Sequence, residues 1–158
     1  MSQRKAIRMD DQAVEAYIAS GVRARVSTLD RRGAPHVVPV TYTVLDGRVA
    51  FWADRGSQKV VNLRRDPRVA CIIDDGVHFG EFRGVEIIGE AELDDDPDTT
   101  SRVIELCCAK VPEEWIETAR ATLTELAPER IVVAIKAERV NSWDHSKVPG
   151  LRPQDVGR

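Results

Sequence analysis

The sequence lacks any long apolar run. No stretch of its 158 residues is long and apolar enough to span a bilayer, and the polar, basic segment Met1 to Met9 has no apolar stretch behind it. The expectation is a cytoplasmic protein with no signal peptide and no membrane partner. Cysteine is scarce: Cys71, Cys107 and Cys108 are an odd set with one adjacent pair. Such a set does not make a disulfide framework, and the absence of paired Cys-x-x-Cys removes the usual zinc spacing. Free, buried or half-buried thiols in a reducing compartment are expected. Positive charge is also in deficit, with 23 Lys and Arg against 26 Asp and Glu and a net charge of -3, which argues against general nucleic-acid binding. No Gly-x-Gly-x-x-Gly opens a helix after a strand, which disfavours a dinucleotide-binding fold. Internal repeats and low-complexity linkers are missing too.

What is present is an ordinary globular composition, 42% hydrophobic and 31% charged, at a length that suits one domain over residues 1–158. Its core is expected over residues 10–147, with loose ends. Asp10 or Asp11 can cap a first helix carrying Val14, Tyr17, Ile18 and Val22, which Gly21 can end. The period then changes to strands. Ala24 to Leu29 is closed by the turn cluster Asp30 to Gly33. His36 to Val44 follows, with Val38, Val40, Tyr42 and Val44 on one apolar face. Pro39 lies inside this run and has no N–H for a ladder, so the strand has an edge, a bulge or a ligand there. Asp46-Gly47 signals a tight hairpin into Arg48 to Ala53, a run apolar enough for burial on both faces. A short helix to Arg65, stopped by Asp66-Pro67, precedes two further strands, Val69 to Ile73 and Gly84 to Leu93. Two helices, Pro97 to Cys108 and Pro112 to Leu126, and a last strand, Ile131 to Val140, complete the order. Trp115, Ile116, Ala119, Leu123 and Leu126 stand at helical spacing and read as core or subunit interface. Hairpin signals join neighbouring strands, so the fold class is mainly β with α, an antiparallel barrel with peripheral helices rather than a parallel sheet.

Two stretches carry chemistry. The acidic run Asp94 to Asp96 is not one of them. Asp96 as N-cap and Pro97 at the first helical position explain it without a metal. The first is Arg55-Gly56-Ser57-Gln58-Lys59. Ser57 can cap the helix that starts here, and Lys59 falls in its first turn, where a cation opposes the helix dipole at a cost of ~0.3–1 kcal/mol. An anion would turn that conflict into a site, because free backbone N–H groups point the same way and Gly56 lets the backbone approach closely. The ligand implied is a phosphate. The competing reading is an exposed Lys and Arg on a solvated loop. The second stretch is Ser142-Trp143-Asp144-His145-Ser146-Lys147, where Trp, Asp, His and Lys cluster as a strand ends. It fits a cleft. It also fits a terminus in which Trp143 covers the barrel end and Asp144 pairs with Lys147.

The paired strands "PHVVPVTY" and "VAFWADRGSQKVVNLRRDPRVA" resemble the flavin-binding split-barrel family of pyridoxamine-phosphate-oxidase-like proteins, over all but the two ends of the chain. The resemblance implies a split antiparallel β-barrel and a cofactor held by its phosphate on Ser57, Gln58 and Lys59, with Arg55 assisting. It further implies that Val37, Val38, Pro39, Val40 and Thr41 run beside the ring system with their backbone groups, and that Trp52 and Ala53 lie by the ribityl chain. It implies a homodimer with the cofactor groove between subunits, the last strand coming from the other chain. His78, Trp143, His145 and Lys147 would then line the substrate or partner-subunit pocket. The "SWDH-x-K" ending is similar to that of actinobacterial split-barrel proteins assigned to the deazaflavin coenzyme F420. It departs from the Arg-x-His ending of pyridoxamine phosphate oxidase itself. The expected function is therefore a coenzyme F420-dependent reductase passing hydride to a small electron-poor substrate. FMN, in an oxidase or flavin reductase, is the alternative, and a non-catalytic flavin or haem carrier or sensor is a third reading. No catalytic residue and no metal site are assigned.

Overall fold

The computed structural model describes residues 3–148. Its helices are α1 (Gln3–Ala6), α2 (Asp11–Ser20), α3 (Gln58–Arg65), α4 (Pro97–Cys108) and α5 (Ile116–Leu126). Its strands are β1 (Arg23–Leu29), β2 (Pro35–Thr41), β3 (Thr43–Leu45), β4 (Arg48–Asp54), β5 (Arg68–Asp75), β6 (Arg83–Asp94) and β7 (Arg130–Asp144). The seven strands form one antiparallel sheet in the order β2-β1-β5-β6-β7-β4-β3. The two edge strands, β2 and β3, are separated in sequence by Tyr42 alone. Both edges of the sheet therefore start from one corner, which requires the sheet to curl into a split barrel. Tyr42 pins that corner: it is fully buried, its N–H donates to the Val22 carbonyl at 3.0 Å, and its hydroxyl donates to the Ile18 carbonyl.

The corner also corrects the sequence reading. Alternation predicts one strand from His36 to Val44, but the phase slips at Tyr42. Thr43 and Leu45 are buried while Val44 is half-buried. Elsewhere local chemistry prevails. Asp46 and Gly47 both take positive φ, 49° and 76°, which matches the hairpin twist joining β3 to β4. Asp10 caps α2 by accepting the Ala13 N–H at 2.8 Å. Asp96 caps α4 with Pro97 behind it, so the acidic run is a helix start. Pro39 sits on an edge strand, one of the three placements its missing N–H allowed. The last strand runs four residues beyond its expected end, through Asp144.

Two apolar layers follow from the strand period. Inside the curl lie Val26, Phe51, Ala53, Cys71, Val85, Val133 and Ile135, closed at one end by Val60 and Leu63 of α3. On the outer face Leu45, Ala50, Val132 and Ala134 pack against Val103 and Cys107 of α4. This double burial explains why β4 reads as apolar throughout. All three cysteines are buried free thiols, and burial pushes Cys71 up to about 12. The helix α5 has no buried residue, and Trp115, expected as core or interface, precedes it on a 3-10 turn at 58% exposure. No helix among the described residues is long and apolar enough to cross a membrane.

Candidate functional site

The strand β4 ends at Asp54, and the chain turns into α3 through three short contacts. The Asp54 carboxylate accepts the Gly56 N–H at 2.8 Å, and its carbonyl accepts the Ser57 N–H at 3.0 Å and the Ser57 hydroxyl at 2.7 Å. Ser57 stands at the N-cap but its hydroxyl is used in that turn, so it caps no helical N–H. Val61 makes the first helical bond, to the Ser57 carbonyl at 3.0 Å. The N–H groups of Gln58, Lys59 and Val60 therefore stay without intrahelical acceptors, as at any helix start.

Lys59 projects from this first turn, half-buried. Burial and then the nearby Arg130 guanidinium hold its ammonium below its ordinary pKa, and Asp54 offsets part of the shift. Arg130 opens β7 directly opposite Asp54 on β4. Its guanidinium lies 5.3 Å from the ring centre of Trp52, and its Nε is buried with no hydrogen-bond partner. Neither cation has an ion-pair partner among the described residues. Two cations held together with an unpaired buried donor repel each other and leave a desolvation cost unmet. An anion between them relieves both. The residues present thus fit a phosphate, and Arg130 is a member that sequence reasoning missed. A cation opening a strand, seventy-one residues from Lys59 by sequence number, carries no local signal.

The other expected residues sort plainly. Gln58 donates to Asn62 Oδ1 at 2.8 Å, and Asn62 donates to Thr28 Oγ1 at 3.0 Å, so a buried polar chain anchors Gln58 beside Lys59. Arg55 faces elsewhere: its guanidinium pairs with Asp95 and donates to the Pro128 carbonyl, so a distant acid already satisfies the residue expected to assist. Ala53 faces the barrel interior at 1% exposure and offers the groove only its backbone. On β2, Val37, Pro39 and Thr41 face outward, while Val38 and Val40 pack toward the core. Thr41 and Trp52 line one cavity, so the two stretches expected along a cofactor meet there.

The second cluster lies elsewhere in the chain. Arg130 and Asp144 are the two ends of the 15-residue β7, roughly 45 Å apart measured along the curved strand at ~3.3 Å per residue. Asp144 does not pair with Lys147. It accepts the Ser146 N–H at 3.0 Å, and Lys147 donates to the Arg8 carbonyl at 3.1 Å. His145 Nδ1 donates to the Phe79 carbonyl at 3.0 Å, and its ring packs 4.7 Å from Phe79 and 5.7 Å from Phe82. His78 is exposed at the start of the adjoining 3-10 turn. Trp143 covers Gly84, opposite it on β6. No metal-competent group of three His, Cys, Asp or Glu occurs among the described residues.

A single antiparallel sheet curled on one buried tyrosine corner, with helices packed on its outer face, defines a split barrel. The model of the pyridoxamine 5'-phosphate oxidase family matches residues 10–144, and the chain belongs to that family. It is similar over its whole length to a conserved hypothetical protein of Mycobacterium tuberculosis. The crystal structure of that protein superposes with a TM-score of 0.86 at 31% identity, covering 100% of this chain and 98% of that one. The fold is shared with an F420 reductase, at 17% identity and a TM-score of 0.61 over 80% of this chain and 94% of that one. It is shared also with a putative pyridoxamine 5'-phosphate oxidase of Listeria innocua, at 18% identity and a TM-score of 0.64 over 83% of this chain and 95% of that one. No curated protein matches the sequence.

Proposed function

We propose that the protein is an oxidoreductase that holds coenzyme F420 by its phosphate and passes hydride to a small electron-poor substrate. The observation that carries this reading is the Lys59–Arg130 pair at the start of α3, with the buried Arg130 Nε lacking a partner. When bound, the deazaflavin supplies two-electron hydride chemistry. The chain's own residues bind and orient. Lys59, Arg130 and the open N–H groups of α3 take the phosphate, and Trp52 fixes the Arg130 guanidinium through its ring face. The outer edge of β2 offers backbone groups. The "SWDH-x-K" ending favours the deazaflavin over FMN, whose phosphate the same cup would accept.

The functional unit in this reading is a homodimer. Trp143, His145 and Lys147 stand at the opposite end of β7 from Arg130, and in this reading a second copy brings them to the groove. Val37, 58% exposed on the edge strand, gives that copy an apolar surface to cover.

The test is a fluorescence titration of the purified protein with coenzyme F420 and, separately, FMN. Tight deazaflavin binding with weak FMN binding is the expected result. The reverse would move the protein to FMN chemistry, and binding of neither would overturn the cofactor assignment.

A further inference from the structure

The cavity that Thr41 and Trp52 share is not used by the phosphate site. It is about 360 Å³, lies between the outer barrel wall and the helices α4 and α5, and is walled chiefly by Val22, Trp52, Trp115 and Leu123. That volume is in the range of small-ligand pockets, and apolar walls with few convergent polar groups are their usual lining. A single charged side chain reaches it, Lys110. The Lys110 ammonium donates to the Gly21 carbonyl at 2.6 Å and, more weakly, to the Tyr42 carbonyl at 3.5 Å, and lies 4.7 Å from the Tyr42 ring centre. An ammonium has three donors, so one N–H remains. Its stem is fixed by the same corner that closes the barrel, so the charge is held in place rather than swinging in solvent.

From this we infer that the cavity is the substrate chamber, and that it takes a small, largely apolar, aromatic-sized compound bearing an anionic or carbonyl oxygen to which the Lys110 ammonium donates. The inference rests on the cofactor reading above, since it is Thr41 and Trp52 that join the chamber to the groove. The absence of any buried residue on α5 fits a helix that roofs a space rather than seals a core. Size discrimination falls to Ala119 and Thr122 of α5, which line the cavity with small side chains.

The test uses two fluorescent probes of one shape, 8-anilinonaphthalene-1-sulfonate and its uncharged analogue N-phenyl-1-naphthylamine, titrated into the full chain. Trp52 and Trp115 line the cavity and only Trp143, of the three tryptophans, lies outside it, so tryptophan-to-probe energy transfer should survive Trp143→Phe. Ala119→Phe should weaken both probes roughly tenfold or more by filling the space, and Thr122→Phe, at an exposed position, should do the same if Ala119→Phe disturbs folding. Lys110→Met should remove the preference for the sulfonate while leaving the neutral probe bound. Coenzyme affinity should be unchanged in the two phenylalanine variants. Equal probe binding in wild type and both phenylalanine variants would overturn the chamber, and an unchanged sulfonate preference in Lys110→Met would overturn the role of Lys110. Probe binding as expected without any coenzyme binding would sink the cofactor reading and leave the cavity standing as a ligand site.

Discussion

The two ends of β7 differ in how charge is gathered there. At Arg130 two cations stand together, one with a buried donor that meets nothing. At Asp144 to Lys147 every conspicuous polar group has a local partner: Asp144 closes a turn on Ser146, His145 rests between Phe79 and Phe82, and Lys147 reaches the Arg8 carbonyl. By sequence the second end looks the more chemical, because it concentrates Trp, Asp, His and Lys. By structure both ends keep a buried guanidinium Nε without a partner, Arg130 at the first and Arg83, opposite Asp144, at the second, but at the first a second cation, Lys59, stands beside it. Residue type shows what a side chain can do, and like charges held side by side show where an anion would be accommodated.

Breaking the first end should produce the largest effect. Lys59→Ala and Arg130→Ala are each expected to weaken cofactor binding by ~1.5–3 kcal/mol, the usual worth of a hydrogen bond to a charged group, in a titration of folded protein. Unchanged affinity in either variant would remove that residue from the cup. The second end should respond through stability instead. A Cβ at Gly84 would lie 2.3 Å from the Trp143 ring and 3.0 Å from the Ile73 carbonyl oxygen, so Gly84→Ala should destabilise by about 1–3 kcal/mol in denaturant unfolding, through overpacking.

How much of this contrast can be read from sequence depends on distance along the chain. Turn and cap signals are local, so Asp46-Gly47, Asp96-Pro97 and the start of α3 are legible, and the succession of helices and strands along the chain follows from them. Tyr42 is not: alternation carries smoothly through it, and only closure of the barrel forces the phase to slip. The same limit divides the site. Lys59 is visible because its conflict with the helix start is local. Arg130 is invisible because its meaning comes from Lys59, and Arg55 misleads because the acid that satisfies it, Asp95, arrives from the far end of β6.

Smaller effects sharpen the account of Lys59. Its folded pKa is lowered, so the unfolded chain binds more protons between that lowered value and its ordinary one. Stability of the cofactor-free protein should therefore rise as pH climbs through this alkaline window, while cofactor affinity falls as the ammonium is lost. Lys59→Met should correspondingly raise the melting temperature of the cofactor-free protein, a small effect because the side chain is half-exposed and solvent screens it. A melting temperature that falls would mean that Lys59 holds the fold rather than a ligand. The smallest effect is expected at Arg55, whose pair with Asp95 is exposed: Arg55→Ala should change cofactor affinity and stability by less than about 1 kcal/mol each.

The central claim is that Lys59 and Arg130 hold a phosphate. It is tested most directly by comparing affinity for coenzyme F420 with that for the same deazaflavin lacking its phosphate-linked tail, and likewise FMN with riboflavin. The account predicts a preference of roughly ten- to a hundredfold for the phosphorylated form in the wild type, as ~1.5–3 kcal/mol implies, and its near loss in Lys59→Ala. Equal affinity for phosphorylated and unphosphorylated forms in the wild type would contradict it.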